Sequence, residues 1–385
     1  MFFSARSIIS FGIFLRLLVA IWNGFFGPSP GARGDSLGMH LLAQDFPKDL
    51  QWDYLNGGKN YIFLLSKVYG TTGGSLFIGC LLSCIVWVVS AVVLSKSMNL
   101  LSVSKPYQSR AMLIYALLPS SIFFTAITLR EPYQLLWVNL GIYAALKIYL
   151  DKSYKYWFVL IGSSLGMGLL HQGLFTFGFF IIFSTLVLLT RRKYKGFSFV
   201  KIITIAPAIG LVIALGIYQF SDYSMTGGYT ESGKIIDAVN RYRNKGAENE
   251  GRAQYMGQKE IKGVMDLVLH SPRIVLSYLF EPMPWRNLNA LDFGVFIENV
   301  LRAWLIWSAL KGLKKLPSRE KNSVVFIFIN YLVIEIIWSM GTINWGTALR
   351  HHIPSFGLLV IAAFASSGRR VIRERQELQI VSKVT

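Results

Sequence analysis

Four short polar motifs interrupt an otherwise apolar sequence, and each contains residues capable of acid–base or anion-binding chemistry. In chain order they are Arg33-Gly-Asp35-Ser, Arg130-Glu131-Pro, His171-Gln172 and Arg350-His351-His352. A carboxylate such as Asp35, partly desolvated at a water–lipid boundary, can accept a proton from a hydroxyl group. An arginine such as Arg350 can bind phosphate through two parallel N–H donors, and a neighbouring histidine can donate to a phosphate oxygen.

The two acidic motifs also have structural explanations. Gly-Asp-Ser around Asp35 is common turn chemistry, and Pro132 suits the first turn of a helix after a tight connection. A turn requires neither Arg130 nor Glu131, however, and charged residues at membrane depth usually face a cavity and mark a site. We therefore predict that Asp35 is a general base. Glu131 is then a second carboxylate or a metal ligand, and Arg130 an anion binder.

The histidine motifs have their own alternatives. A single histidine such as His171, at the end of a helix, is explained equally well by a packed structural role or by a role in the site. Arg350 could instead anchor the chain at the lipid headgroups. Anchoring does not require the adjacent histidines, so we predict that Arg350 and His351 bind a phosphate.

Composition places these motifs in a membrane protein. The chain has 385 residues, of which 53% are hydrophobic and 15% charged, and its mean hydropathy is +0.46. Soluble domains average about 25% charged residues. The net charge of +19 falls in short clusters between apolar runs, which is typical of orientation signals rather than of nucleic-acid binding. Cys80 and Cys84 share one helical face, and we interpret them as packing residues rather than a disulfide or metal site.

The apolar runs predict an all-α polytopic bundle, because a membrane helix needs about 20 mostly apolar residues. We expect about ten spans, at 8–25, 74–95, 111–127, 133–150, 157–170, 173–189, 202–220, 291–310, 324–340 and 353–365. The short aromatic segment 61–69 favours an interfacial helix. We treat 1–385 as a single integral membrane domain.

Lysine and arginine are concentrated in alternate loops, which predicts cytoplasmic N and C termini and a basic cytoplasmic tail at 366–385. The opposite set contains two long extracytoplasmic loops, 27–60 and 221–289. On this topology the four polar motifs all lie on the extracytoplasmic side, and we expect them to converge there.

The loop 221–289 contains further candidates. Apolar residues repeat with a helical period over 256–269, which predicts a helix on the membrane surface. Pro-Met-Pro makes 279–286 extended, with Trp285 at the interface. Arg241, Arg243 and Arg252 would suit contacts to a lipid-linked glycan.

Two acidic residues fall inside predicted spans. Glu298 is four residues before Arg302, a spacing that lets the two pair on one helix face. Glu335 has no partner nearby in sequence, so it either faces a cavity or is protonated.

Three features together resemble a known family. They are a first helix followed by a long loop with Asp35, then Ala116-Leu-Leu-Pro119-Ser-Ser-Ile-Phe-Phe-Thr125 leading into Leu129-Arg-Glu131, and finally Gly346-Thr-Ala-Leu-Arg350-His351-His352 near the last helix. This pattern resembles the GT-C superfamily of membrane glycosyltransferases, which use polyprenyl-phosphate-linked sugars. The last motif is also similar to Arg-His elements of bacterial polysaccharide-assembly proteins. The sequence departs from the family in having no Asp-Glu or Asp-Asp pair at Asp35.

The resemblance implies an enzyme that moves a hexosyl or pentosyl group from a polyprenyl-phosphate donor to a lipid or glycan acceptor, for a cell-surface polysaccharide or glycolipid. It implies that Asp35 is the catalytic base, that Glu131 lies near the donor phosphate, and that Arg350, His351 and Arg130 hold that phosphate. His171, Arg241, Arg243, Arg252 and Trp285 are candidate contacts to the acceptor or lipid-linked glycan.

The expected location is the bacterial inner membrane, with the site facing the periplasm or exterior. No metal site is predicted, the sequence leaves a divalent cation open as a cofactor, and no nucleic acid is expected as a partner. Three alternatives remain at this point. One is a polymerase of O-antigen or capsule repeat units, which acts on lipid-linked glycans. The second is a transporter or flippase, for which charges near the middle of the bilayer and broken paired helices would be expected. The third is a structural or assembly protein, which would tolerate loss of Asp35.

Overall fold

The computed structural model describes residues 4–29, 32, 34–46, 57–193, 240, 243, 253–255, 261–262, 264–286, 289–314 and 316–367. Regular structure in these residues is helical, apart from one isolated bridge between Gln254 and Asn344. The helices are α1 Ala5–Ile21 with a π-helical end Trp22–Phe26, α2 Asp35–Gln44, α3 Gly57–Thr72, α4 Leu76–Leu100, α5 Lys105–Leu117, α6 Pro119–Phe124, α7 Glu131–Asp151, α8 Tyr156–Leu170, α9 Gln172–Lys193, α10 Val264–Phe280, α11 Ala290–Leu313, α12 Ser318–Gly341, α13 Trp345–His351 and α14 Ile353–Ser367. The predicted all-α class is confirmed for the described residues.

Five described helices are long and apolar enough to cross a membrane. They are Ala5–Phe26, Leu76–Leu100, Gly173–Thr190, Ala290–Leu313 and Glu320–Gly341. The bent pair α13 and α14, which meet at 62°, would make a sixth. The described part of the chain thus supports five or six of the ten predicted spans. Of the others, 202–220 lies outside the described residues, and 157–170 corresponds to a helix of 15 residues, shorter than the ~20 that a span needs.

The predicted span 111–127 is divided by Pro119, where α5 ends and α6 begins. Proline has no N–H and prevents continuation of the helix. Other chain segments satisfy the backbone groups at this break. The amide of Ser120 donates to Glu298 Oε1 at 2.8 Å, and the carbonyl of Ala116 accepts from Arg16 Nη1 at 2.9 Å.

The contact to Ser120 also corrects the predicted pairing of Glu298 with Arg302. Glu298 accepts from the α6 backbone, whereas Arg302 donates to the carbonyl of Leu279 at 3.0 Å and to Asn299. Glu298 thus binds the backbone of α6 and Arg302 binds the backbone of α10. These contacts replace the expected pair along one helix face.

The centre of the bundle is formed by α7 and α14. Helix α7 packs against α4, α8, α9 and α14, and α14 packs against α5, α7, α11 and α12. Every described side chain from Ile353 to Ser366 is buried. A helix that is apolar on all sides belongs in the interior, and α14 therefore fixes the elements that carry the polar motifs.

The outer segments follow the sequence prediction in part. The expected helix 61–69 lies within the longer α3. The expected surface helix 256–269 corresponds to α10, which begins at Val264 and continues to Phe280, while residues 256–260 lie outside the described residues. Residues 281–286 are non-helical, and Trp285 is exposed.

Candidate active site

Helix ends bring the two acidic motifs and Arg350 together. Asp35 and Glu131 are the first residues of α2 and α7, and Arg350 lies in the last turn of α13. The partial positive charge at a helix N-terminus favours a carboxylate, and the partial negative charge at a C-terminus favours a cation. All three positions therefore suit the charges that the sequence places there.

The guanidinium of Arg350 bridges the two carboxylates. It donates to Asp35 Oδ2, and its Nε lies 2.8 Å from Glu131 Oε1. The second contact is an ion pair rather than an aligned hydrogen bond. The side chain of Asp35 is 55% exposed whereas that of Glu131 is 2% exposed. One carboxylate is thus open to a substrate and the other is enclosed beneath the arginine.

The charge environment keeps Asp35 ionised. Burial alone raises the pKa of its carboxyl, but the charge of Arg350, the hydrogen bond from Arg350 and the charge of Arg130 together lower this pKa below its ordinary value. At neutral pH Asp35 is therefore a carboxylate that can accept a proton.

Arg130 and His171 lie beside this group. Arg130 Nη1 donates to the carbonyl of Leu170 at 3.3 Å, and His171 Nδ1 accepts from the amide of Gly173 at 3.0 Å. Burial, with the positive charges of Arg130 and Arg350, lowers the pKa of His171 well below its ordinary value. His171 is therefore neutral at physiological pH.

Trp338 contacts both histidines. Its ring is stacked on that of His351, with centroids 4.1 Å apart, and is tilted by 55° to that of His171, with centroids 4.2 Å apart. His351 is buried, and its Nδ1 is 3.0 Å from Thr342 Oγ1. His351 is therefore enclosed, whereas the side chain of Arg350 is 17% exposed.

His352 belongs to a second buried group, centred on Glu335. Glu335 contacts His352 Nδ1 through Oε2 and accepts from the hydroxyl of Ser355 through Oε1, while His352 Nε2 lies 3.3 Å from the carbonyl of Tyr278. All four residues are buried. Glu335 has a partner on the next helix, so its carboxylate stabilises the bend between α13 and α14 instead of facing a cavity.

Arg16 is a buried charged residue that lies outside the four polar motifs. It is fully buried, stacks on Trp87 at 3.5 Å, and donates to Thr125 Oγ1 at 2.7 Å and Ser121 Oγ at 2.9 Å. The signal is a lone arginine in the middle of the first apolar run. Its contacts fix α6, whose C-terminal connection leads to Arg130 and Glu131.

The structure describes two of the remaining candidates, Arg243 and Trp285. Arg33, Arg241 and Arg252 lie outside the described residues. Arg243 is buried, and Trp285 is exposed beyond α10. Within the described ranges, no set of three or more His, Cys, Asp or Glu side chains could hold a metal ion.

Comparison with solved structures identifies a similar fold. Over 98% of its length the chain aligns with an archaeal oligosaccharyltransferase, AglB from Archaeoglobus fulgidus, solved with an inhibitory peptide and a dolichol-phosphate, at a TM-score of 0.50 and 11% identity. The apo form of the Archaeoglobus fulgidus oligosaccharyltransferase aligns with a TM-score of 0.47 and 11% identity, again over 98% of this chain and 52% of that one. No protein-family profile and no curated protein matches the chain. The chain spans about half of AglB, 52% of its length, and at 11% identity the similarity is one of fold.

Proposed function

We propose that this protein is a GT-C-type glycosyltransferase that moves a sugar from a polyprenyl-phosphate-linked donor to an acceptor hydroxyl at the extracytoplasmic membrane face. The observation that supports it most is the pairing of an exposed carboxylate, Asp35, and an enclosed carboxylate, Glu131, on one guanidinium, Arg350. This arrangement places the proposed base, Asp35, in direct contact with the proposed phosphate-binding cation, Arg350.

The proposed reaction is a direct displacement at the anomeric carbon. Asp35 takes the proton of the acceptor hydroxyl as its oxygen forms the new bond to that carbon. The bond from the anomeric carbon to the phosphate oxygen breaks, and Arg350 and Arg130 stabilise the negative charge that develops on the leaving lipid phosphate. Glu131 restrains Arg350 in the orientation this requires.

Lipid-linked substrates are supported by two observations. AglB, which has a similar fold, was solved with a dolichol-phosphate. The described helices of this chain include five that are long and apolar enough to span a membrane, which supports a substrate held in a lipid bilayer. The distribution of lysine and arginine between loops supports an extracytoplasmic site. The proposal further assigns the protein to a bacterial inner membrane and its product to the surface polysaccharides or glycolipids, as the family resemblance implies.

The test compares Asp35→Asn and Arg350→Ala with the matched control Asp45→Asn, whose carboxyl follows the C-terminal end of the same helix α2. Each variant is expressed in a strain with a surface-glycan defect, membrane abundance is measured, and transfer is assayed in nanodiscs with polyprenyl-phosphate-linked sugars. We expect Asp35→Asn to lose glycan and transfer at normal abundance, and Asp45→Asn to retain both. Arg350→Ala should also lose both, at lower abundance because Glu131 stays buried without its partner.

Wild-type glycan and transfer from both site variants would exclude the proposed site. Glycan loss in the strain without measurable transfer in nanodiscs, combined with impaired movement of a lipid-linked glycan across vesicle membranes, would instead favour the transporter alternative.

A further inference from the structure

Several buried polar atoms lie on α2 and α7, which begin with Asp35 and Glu131, and on α3. Among the described residues five of them have no hydrogen-bond partner near the starts of these helices: Ser36 Oγ, Asn60 Oδ1, Tyr61 Oη, Glu131 Oε2 and Gln134 Nε2. Asn139 Oδ1, further along α7, also has none. More than about 90% of buried polar groups in proteins are hydrogen-bonded, and each exception calls for an explanation.

Glu131 and Gln134 share one face of α7. Gln134 follows Glu131 by three residues, so the two side chains lie one turn apart on the helix. Both residues are about 1% exposed. Glu131 Oε1 pairs with Arg350, whereas Oε2 has no hydrogen-bond partner among the described residues.

Helix α3 brings its polar residues to the start of α7. Asn60 Nδ2 donates to the carbonyl of Leu169 at 2.9 Å, and Arg130 donates to the next carbonyl, that of Leu170. The ring of Tyr61 packs edge-on against Tyr133, with centroids 5.4 Å apart. Burial raises the pKa of Tyr61 well above its ordinary value, with smaller contributions from Tyr133, Tyr69, Cys80 and Glu131, so the phenol is neutral and lies within electrostatic range of the carboxylate.

Ser36 completes the group from the side of the catalytic candidate. It directly follows Asp35 at the start of α2 and is fully buried, whereas Asp35 is exposed. The serine hydroxyl therefore lies on the inner side of the helix that presents the base on its outer side.

The mixture of atoms specifies the ligand chemistry. A phosphate needs donors only, a metal ion needs acceptors only, and a lipid tail needs neither. This group combines acceptors (Glu131 Oε2 and Asn60 Oδ1), a donor (Gln134 Nε2) and two hydroxyls that do both. Neighbouring hydroxyl groups of a sugar ring each donate and accept, and the ring carbons suit the faces of tyrosines such as Tyr61 and Tyr133.

We propose that Ser36, Asn60, Tyr61, Glu131 and Gln134 form the surface that recognises the hydroxyl groups of a sugar unit at the reacting centre. The proposal rests on the glycosyl transfer proposed above. Glu131 contacts Arg350, the proposed phosphate-binding residue, so this group adjoins the position proposed for the donor phosphate.

The test uses Tyr61→Phe, which removes one oxygen and retains the ring, and the matched control Tyr331→Phe. Tyr331 is also fully buried, and its hydroxyl also has no hydrogen-bond partner among the described residues, but it lies on α12 in the interior near Glu335. Steady-state transfer is measured in nanodiscs with a panel of polyprenyl-phosphate-linked hexoses and pentoses and with the deoxy analogues of the sugar that is used. Melting temperature verifies that both variants fold.

We expect Tyr61→Phe to lower kcat/KM about 5- to 10-fold with the complete sugar, the effect of one net hydrogen bond of ~1 kcal/mol. One deoxy analogue should abolish the difference between variant and wild type, because the same hydrogen bond has already been removed. A purely structural role of Tyr61 would lower activity equally with every analogue. Sensitivity to donor deoxygenation assigns the surface to the transferred sugar, and sensitivity to acceptor deoxygenation assigns it to the acceptor sugar.

Two results would overturn the inference, and they are distinguishable. If wild type transfers sugar and Tyr61→Phe matches both wild type and Tyr331→Phe with all analogues, the recognition surface is wrong while the proposed function stands. If wild type transfers no sugar from any donor in the panel, the proposed function fails and the inference fails with it.

Discussion

Arg350 Nε lies 2.8 Å from Glu131 Oε1, an ion pair between the last turn of α13 and the first residue of α7. Both side chains are largely enclosed, at 17% and 2% exposure. Water therefore screens the pair less than it screens an ion pair at the surface, and loss of either charge leaves the other poorly compensated.

Glu131→Gln should accordingly destabilise the protein. Removing one member of a buried ion pair costs about 3 kcal/mol of unfolding free energy, and the displaced guanidinium should also lower kcat. Thermal unfolding in detergent measures the first effect, and transfer in nanodiscs measures the second.

The matched control is Asp151→Asn, which removes the acidic partner of Lys147 in an exposed pair one turn apart on the same helix α7. Exposed pairs contribute about 0.5 kcal/mol, so this variant should melt close to wild type. Equal melting temperatures for Glu131→Gln and Asp151→Asn would show that the enclosed pair contributes no more than a surface pair.

The pH dependence of activity should reflect the low pKa of Asp35. Its pKa lies below the ordinary 3.8, since Arg350 and Arg130 outweigh the opposing effect of burial. In wild type we expect no loss of kcat/KM from protonation of Asp35 at any pH above about 5. Arg130→Gln removes one of the two charges, so its acidic limb should move to higher pH.

The lowered pKa of Asp35 also determines how the stability of the protein changes with pH. The pKa of Asp35 is lower in the folded protein than in the unfolded chain, so its ionised carboxylate stabilises the folded state at pH values above the unfolded pKa. This stabilisation is lost as the pH falls through the folded pKa and Asp35 is protonated. Melting temperature should therefore decrease below about pH 4 in wild type. Asp35→Asn should remove that part of the dependence, and an unchanged acid profile in this variant would contradict the assignment.

The buried pair of Glu335 and His352 leads to a third prediction. Glu335→Ala removes the acceptor for both His352 and Ser355 and should lower the unfolding free energy by about 3 to 5 kcal/mol. Glu335→Gln keeps one amide oxygen as an acceptor and should lower it less. Ile336→Ala is the control on the same helix, because Ile336 is 43% exposed and should be tolerated.

These contacts show what the sequence could predict and what it could not. Asp35, Arg130-Glu131 and Arg350 stand out because charges are rare in an apolar chain, and the ends of the helices place them on one side. The side-chain directions of Arg350, His351 and His352 could not be read from the sequence. Neighbouring residues on a helix point in different directions, and the packing of α7, α12 and α2 decides that Arg350 meets carboxylates while His351 and His352 are enclosed.

Hydrogen bonds between segments that are distant in the sequence could not be predicted from it either. The i, i+4 spacing of Glu298 and Arg302 predicts a local pair, but Glu298 instead binds the backbone at the break before Ser120. That break exists because of Pro119, and a hydrophobicity pattern does not show which charged side chain will satisfy it. Arg16 was overlooked for the same reason, since its partners are neutral groups on α5 and α6.

Gly57 provides the last prediction, because it determines how closely α3 approaches the site. A Cβ at this position would overlap the backbone carbonyl of Leu170, the carbonyl that accepts from Arg130. A backbone atom cannot turn away as a flexible side chain can, so Gly57→Ala should displace the N-terminal turn of α3, with Asn60 and Tyr61. Gly70 lies on the same helix, and a Cβ there meets nothing within 4 Å. Gly70→Ala should be neutral or stabilising, by up to about 1 kcal/mol from helix propensity. We expect Gly57→Ala to lower both melting temperature and kcat/KM, measured beside Gly70→Ala in nanodiscs. If both variants retain wild-type activity, the docking of α3 against Leu170 has no part in forming the site.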